Sequence, residues 1–448
     1  MTRAARGGSQ KSQKTVTRRQ FLAAAGAGVA GGAVLKLVAP WEVGVAPAQI
    51  KGTTLRILQW SHFVPAYDVW FDQYAADWGK ANGVTVRVDH VQNIQMAARI
   101  AAERTAGAGH DIFEFQGVVL TGVYYPAMVD ITDLVEGIGK KYGGWLQAAR
   151  SAGMVNGRWY GYPDFFIAQP MLYRKDLLEE NGLKVPDTWD GWRAVARTMK
   201  PKGHPTGIQI SHCNDSNHDW RSIFFDFGVK ETDPSGKEVR WDSPALREAM
   251  KFGKALYEET MTPEVFSWDD VSDNRYLGSG VACWIHDAIS AWRSIQGVNP
   301  KLYDNVYLAL EPAGPRARLN VVDGNVYGIW TFSKNQAAAK AFLEYWGSSQ
   351  KEAAVQSKGY NMPYLIGLYK KPMPVLGTES NNMQTLQDWL RISATFGYPG
   401  PMTAAASEVN SSYIIPDMVG RYIRGGNLEA SIKWGMDQIK AVYAKYKS

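Results

Sequence analysis

Cysteine is nearly missing from this 448-residue chain, which holds only Cys213 and Cys283. A disulfide-built scaffold is excluded. Two buried free thiols are the favoured expectation, with a bridge closed after folding as the alternative. No Cys-x-x-Cys or His-Glu-x-x-His spacing occurs, so neither a metal nor any other cofactor is expected. No nucleophile elbow marks a hydrolase. Beyond the first 48 residues no apolar run approaches the roughly 20 residues of a spanning helix. Internal repeats are also lacking. A basic stripe is missing too, although the net charge is +6. That surplus sits at the N-terminus, where Arg3, Arg6, Lys11, Lys14, Arg18, Arg19 and Lys36 face only Glu42. The rest of the chain is formally neutral, so no nucleic-acid partner is expected.

What is present reads as an ordinary globular protein, 45% hydrophobic and rich in aromatics, with Trp 17 and Tyr 22. Its N-terminus is different. Thr17-Arg18-Arg19-Gln20-Phe21-Leu22 precedes a Gly/Ala-rich run from Ala23 to Val38, and Ala46-Pro47-Ala48 offers a small-x-small cleavage site. The segment resembles a twin-arginine export signal, departing from it at Thr17 and Ala23. It implies that residues 1–48 are removed, that the twin-arginine machinery is a partner, and that the mature protein is periplasmic.

The stretch from Asn156 to Trp192 carries the densest local signals. Asn156-Gly157 marks a tight turn. Gly161-Tyr162-Pro163 breaks a strand, and Phe165 to Tyr173 is apolar enough for a buried one. Asn181-Gly182 suits a helix end, and Pro186-Asp187-Thr188 a new N-cap. Earlier, Lys51 to Gln59 predicts a strand. Tyr67, Trp70, Phe71, Tyr74 and Trp78 predict a helix, and the segments to Phe113 continue β-α-β-α-β. Gly207 to Ser211 reads as a buried strand, His212 to Asp219 as a turn-rich loop, and Val281 to Ile285 as another strand. Asn335 is the expected cap of the helix bearing Phe342 and Trp346.

"NGRWYGYP", an apolar strand, "LYRKDLLEENGL" and "VPDTWDGW" together resemble the signature region of extracellular solute-binding proteins of the maltose-binding-like, carbohydrate-uptake class. Residues 333–343 and the Gly359–Pro363 turn resemble later segments of the same family. The resemblance implies an α/β, two-lobed periplasmic-binding-protein fold of type II. Each lobe would be a doubly wound sheet flanked by helices, with the ligand cleft between them. Residues 52–116 plus 326–374 are assigned to lobe 1, and 117–325 plus 375–448 to lobe 2. The implied protein is a monomer without enzymatic activity. It captures a small solute, a sugar or sugar alcohol, and delivers it to the permease subunits of an ATP-binding-cassette importer.

Position in that fold selects the candidate ligand contacts. Trp60, His62 and Phe63 follow the first strand, whose C-terminal end is where open α/β sheets bind ligands. Glu114 and Gln116 end the third strand. Tyr162, Asp164 and Phe165 lie in the signature stretch. Asp215, Asn217 and Trp220 occupy the polar cluster and its following helix. Trp284, His286 and Asp287 flank a later strand end, and Asn325, Tyr360 and Asn361 lie in the closing segments. A metal set of His212, Asp215, His218 and Asp219 is disfavoured by its spacing. Aromatic faces with amides and carboxylates suit neutral sugars. A cationic amine is the alternative solute, since tryptophan faces and acids also receive cations. A secreted glycosidase using Glu114 and Asp215 is the weaker alternative, because nothing places the two about one bond.

Overall fold

The computed structural model describes residues 47–446 apart from 297, 372 and 378–380. The N-terminal segment read as an export signal therefore lies almost wholly outside the described residues. The first mature elements follow the hydrophobic pattern. Strand β1 (Thr54–Trp60) is succeeded by helix α1 (Pro65–Asn82), β2 (Thr85–Val91), α2 (Asn93–Ala106) and β3 (Ile112–Gln116). Proline in the first turn of α1 costs no hydrogen bond, and Gly83 ends the helix with φ 67°. β1 pairs in parallel with both β2 and β3. Leu55, Ile57 and Leu58 are buried in β1, and Tyr67, Phe71 and Trp78 form the buried stripe of α1.

The signature stretch then splits in two. Asn156 and Gly157 take φ 51° and 77°, the left-handed turn their types allow, between short paired strands. The apolar run that follows is two strands rather than one. Strand β4 (Tyr162–Ile167) belongs to a six-stranded sheet with β1–β3, and β5 (Met171–Arg174) belongs to a separate three-stranded sheet. Only Ala168-Gln169-Pro170 joins them. The chain thus leaves the first sheet at 168–170, later than the crossing expected at Glu114–Gln116. Pro170 has no N–H to offer a ladder, which is one reason a single strand cannot run through.

The segment expected as a loop from His212 to Asp219 is largely helix α3 (Asn214–Asp226), buried along almost its whole length. Gly207 to Ser211 is extended but makes only one bridge, Gly207 to Ile285, and is not a strand. Helix α4 (Ser272–Gly278), β6 (Trp284–His286) and β7 (Val306–Ala309) follow. β6 and β7 flank β5 in antiparallel register. Asn320–Val321 pairs with Ser393–Ala394, and one residue later the chain returns to the six-stranded sheet as β8 (Asp323–Ile329), antiparallel to β3 and β4. Helix α5 (Gln336–Gly347) packs Phe342 and Trp346 against α1. Asn335 stands at its start as expected, but its amide donates to the Thr54 carbonyl instead of capping. β9 (Met362–Pro363) closes the first sheet's edge against β4.

Two buried apolar clusters underlie this division. One gathers the six-stranded sheet with Trp145, Trp159 and Trp346; the other gathers Trp189, Trp192, Trp220 and Trp284 around β5. Cys213 and Cys283 are free and buried, as favoured from the sequence. No helix among the described residues is long and apolar enough to cross a membrane.

Helix α3 is pinned from within. Arg221 is fully buried; its Nε donates to Glu231 Oε1 at 2.6 Å and its Nη1 to Asn217 Oδ1 at 2.6 Å. Replacing it as Arg221→Met leaves the Glu231 carboxylate buried without its cation. The expected cost is about 3–5 kcal/mol in urea unfolding, and adding Glu231→Leu should recover much of it.

Candidate functional site

The C-terminal ends of β1 and β3 open onto a cleft. One wall comes from the six-stranded sheet. Trp60 stands at the end of β1, Phe63 in the loop beyond, Gln116 at the end of β3, Asn325 on β8, and Tyr360 before β9. Trp60 meets Phe63 edge-on at 5.0 Å and lies 6.2 Å from Tyr360. Phe63 is 45% exposed, so a large aromatic face stays open to the cleft.

The opposite wall is polar. Asn214, Asp215 and His218 come from the first turns of α3, His218 standing four residues after Asn214 and three after Asp215, the spacings that share a helix face. Asp270, Asp287 and Ser290 come from the segments around α4 and after β6, and Gln169 from the crossover. No lysine or arginine lines this cleft among the described residues. Burial pushes the Asp273 carboxyl, just behind this wall, up to about 8. Burial also holds Asp215 and Asp287 well above the ordinary carboxylate range, and neighbouring acids add to it. Burial depresses His218 to about 3, so its ring is neutral at pH 7.

Of the residues singled out from the sequence, Trp60, Phe63, Gln116, Asp215, Asp287, Asn325 and Tyr360 meet at this cleft. The others do not line it. Glu114 is fully buried behind the aromatic wall, accepting from Asn325 Nδ2 at 2.7 Å and the Trp60 backbone at 3.4 Å. It positions both neighbours and also lines a smaller adjoining cavity. His62 points inward. Its Nδ1 accepts from the Val64 N–H at 2.8 Å, which leaves Nε2–H to donate to Asn361 Oδ1 at 2.8 Å. That bond takes up the Asn361 carbonyl oxygen. Tyr162 and Phe165 are core, and Asp164 accepts from Trp346 Nε1 at 2.6 Å inside that core.

Asn217 and Trp220 fall on the far face of α3 because the segment is a helix and not a loop. Asn217 braces Arg221, and Trp220 donates to the Gln209 carbonyl at 2.8 Å. Trp284 donates to the Trp192 carbonyl at 3.1 Å within the second cluster. His286 sits between Asp219 and Glu311, 2.7 Å from each. Burial alone would lower it, but Glu311 and Asp219 outweigh burial and hold it well above its usual value, as an imidazolium. Its role is a buried ion triad. The disfavoured set of His212, Asp215, His218 and Asp219 is not assembled: His212 pairs with Asp417 at the surface, and Asp219 with His286.

Gln169, Asn93, Asn214, Asp270 and Ser290 line the cleft and were missed. Gln169 had a readable signal, as the one amide inside an apolar run. Asp270 and Ser290 had none, since only the tertiary fold brings them near.

Residues 65–353 match the family described as bacterial extracellular solute-binding protein. Curated relatives in Brucella abortus (strain 2308) and Brucella suis biovar 1, described only as binding proteins, are 24% identical over 209 residues, 45% of this chain. The chain spans about half the length of these relatives. Among solved structures, maltose-bound MalE3 of T. maritima superposes with TM-score 0.74 at 22% identity, covering 87% of this chain and 100% of that one. A Thermotoga lettingae solute-binding protein with α-D-tagatose gives 0.72 at 17%, with 87% and 100% covered. An Arthrobacter chlorophenolicus sugar transporter protein with laminaribiose gives 0.72 at 16%, with 87% and 99% covered. At these identities the likeness establishes the two-lobed α/β fold.

His62 sets an acid limit on stability. Burial lowers it from 6.5 to about 4, against the hydrogen bonds to Asn361 and Val64. Between those values the unfolded chain binds a proton that the folded one refuses, so stability rises with pH through this window and is lost as pH falls. His62 is expected to contribute up to about 1.4 kcal/mol per pH unit there. Urea unfolding at a series of pH values checks this, with His62→Gln flattening the slope.

Proposed function

The chain belongs to the bacterial extracellular solute-binding protein family, and from that premise we propose that it captures a neutral carbohydrate, a sugar or sugar alcohol, for an ATP-binding-cassette importer. The observation that carries the reading is the division of the cleft. Trp60, Phe63 and Tyr360 supply apolar faces on one side, and Asp215, Asp270, Asp287 and the amides of Gln116, Asn325 and Gln169 supply acceptors and donors around them. A pyranose ring or a reduced sugar has this same duality: C–H faces that stack and hydroxyls that need hydrogen bonds. The lack of lysine and arginine among the described residues lining the cleft disfavours phosphorylated or carboxylated solutes. Solved relatives in the same fold hold maltose, α-D-tagatose, ribitol and laminaribiose.

The two lobes are the segments built on the two sheets, and the crossovers at 168–170 and at Val322 are the hinges. A solute touching both walls stabilises the closed form by its extra contacts there, which shifts the population toward closure. The closed lobes then present a docking face to the permease. Export through the twin-arginine route and release into the periplasm complete the reading, and the protein acts as a monomer and as a receptor with no chemistry of its own. A cationic amine is the second reading, favoured by the same acids in a cleft without a basic side chain.

Thermal unfolding with maltose, tagatose, ribitol, laminaribiose, spermidine and choline separates the two readings. Saturable stabilisation by at least one carbohydrate and by neither amine is expected. Stabilisation by an amine alone would sink the carbohydrate reading. With the responding sugar, Trp60→Ala should weaken binding by about 2 kcal/mol, roughly 30-fold, in calorimetry.

A further inference from the structure

Beside the cleft runs a groove that shares Phe63 and Ser290 with it, so the two are continuous. Phe63 comes from the loop after β1. The other lining residues come from α4 with Val271 just before it, and from the short helix Ser290–Ile295 with Val298 beyond it. No carboxylate lines this groove among the described residues. Large apolar side chains are left in water there instead. Phe63 is 45% exposed, Val271 37% and Val298 85%, and the buried Ile295 lies beneath them. Single exposed hydrophobic residues are normal on any surface, but several gathered on one groove beside a cleft mark a binding surface.

The polar side chains of the groove are engaged by their own neighbours. Ser294 Oγ donates to the Ala291 carbonyl at 2.7 Å. Arg275 Nη2 donates to Asp269 Oδ1 and Ser272 Oγ, both at 3.0 Å. The Asn274 amide satisfies both its ends when its nitrogen donates to Asp273 and Asp287 and its oxygen accepts from the Ala291 N–H. A further sugar ring placed here would bring hydroxyls to partners already in use, and burying a hydroxyl without a partner is costly. An apolar group brings no such cost. A glycine also keeps the groove open. A Cβ added at Gly278 would find only Ile295 Cγ2 within 4 Å, at 3.9 Å, so a side chain at this position would fill the space a ligand needs.

We propose that this groove holds the apolar aglycone of a neutral glycoside, an aryl group, while the sugar part sits in the cleft. The proposal rests on the carbohydrate reading of the cleft and narrows it. Phe63 borders both spaces, so one aromatic side chain joins the two halves of the site. The aryl ring lies against Phe63, Val271, Ile295 and Val298, where it covers apolar surface now facing water. Phe63 belongs to the first sheet's side and the other three to the opposite side, so the aglycone adds contacts across the cleft and favours closure.

The test measures, by calorimetry on the purified protein, methyl and phenyl glycosides of glucose, galactose, mannose and xylose in both anomers, with maltose and laminaribiose alongside. At least one phenyl glycoside is expected to bind ~10-fold tighter than its methyl counterpart, or better. Gly278→Leu fills the groove and Val298→Asp puts a charge at its rim. Each should bring the phenyl glycoside back to the affinity of the methyl glycoside and leave the methyl glycoside unchanged. Val298 is mostly in solvent, so that variant carries the test should Gly278→Leu fail to fold. Equal binding of phenyl and methyl glycosides overturns the proposal, as does binding of free sugars with every glycoside excluded. So does a phenyl preference that survives in every folded variant. A gain made by the disaccharides alone and abolished by Gly278→Leu would put a second sugar ring in the groove and overturn it too. Binding of no carbohydrate at all, free or substituted, marks the failure of the carbohydrate reading itself, and this proposal falls with it.

Discussion

The crowding of buried carboxylates on one side of the cleft constrains everything else about this molecule. Buried Asp215, Asp273 and Asp287 and half-buried Asp270 converge there while no lysine or arginine lines the opening among the described residues. Acceptors in such surplus favour a ligand that brings donors. They also explain why the surrounding amides of Gln169 and Gln209 turn their nitrogens inward. The helix that carries Asp215 is in turn held by a fully buried arginine, so the acids are fixed by the core and not by a mobile loop. Rigid placement matters because contacts made only in the closed form are what convert binding into lobe closure.

The second constraint is the short crossover. Ala168-Gln169-Pro170 ends a strand of one sheet and starts a strand of the other, and the return passes through Val322 between two paired segments. Gln169 lies in that crossover and lines the cleft as well. A residue in this position would link the proposed solute site to the proposed hinge. On the opposite wall Glu114, on β3, ties Trp60 of β1 to Asn325 of β8, so this wall is built on three neighbouring strands of the first sheet rather than on a loop alone.

Much of the fold was legible where local chemistry is decisive. The Asn156-Gly157 turn, the β-α-β-α-β start and the Thr188 cap, which accepts from the Gly191 N–H at 3.2 Å, all follow from residue types acting within a few positions. Asn214–Asp226 was misread because Asn214, Asp215, Ser216 and Asn217 favour turns in isolation, and tertiary burial overrides that preference. That error moved Asn217 and Trp220 onto the cleft when the helix turns them away from it. His286 and Asp164 show a related limit. A polar residue at a strand end reads as a ligand contact, and nothing local reveals a buried partner such as Glu311 or Trp346. The aromatic wall was visible because it directly follows a strong strand. The acidic wall was visible only in part, since Asp270 and Asp273 join Asp215 through contacts more than fifty residues apart in sequence.

The central claim is that this cleft selects neutral carbohydrate. The most direct measurement offers the purified protein an equimolar mixture of neutral sugars, sugar alcohols, amines, amino acids and sugar phosphates, then washes, denatures and identifies by mass spectrometry what was retained. The account predicts retention of one or a few neutral carbohydrates at near one equivalent, with the phosphates excluded. Retention of an amine, an amino acid or a sugar phosphate in their place would contradict it.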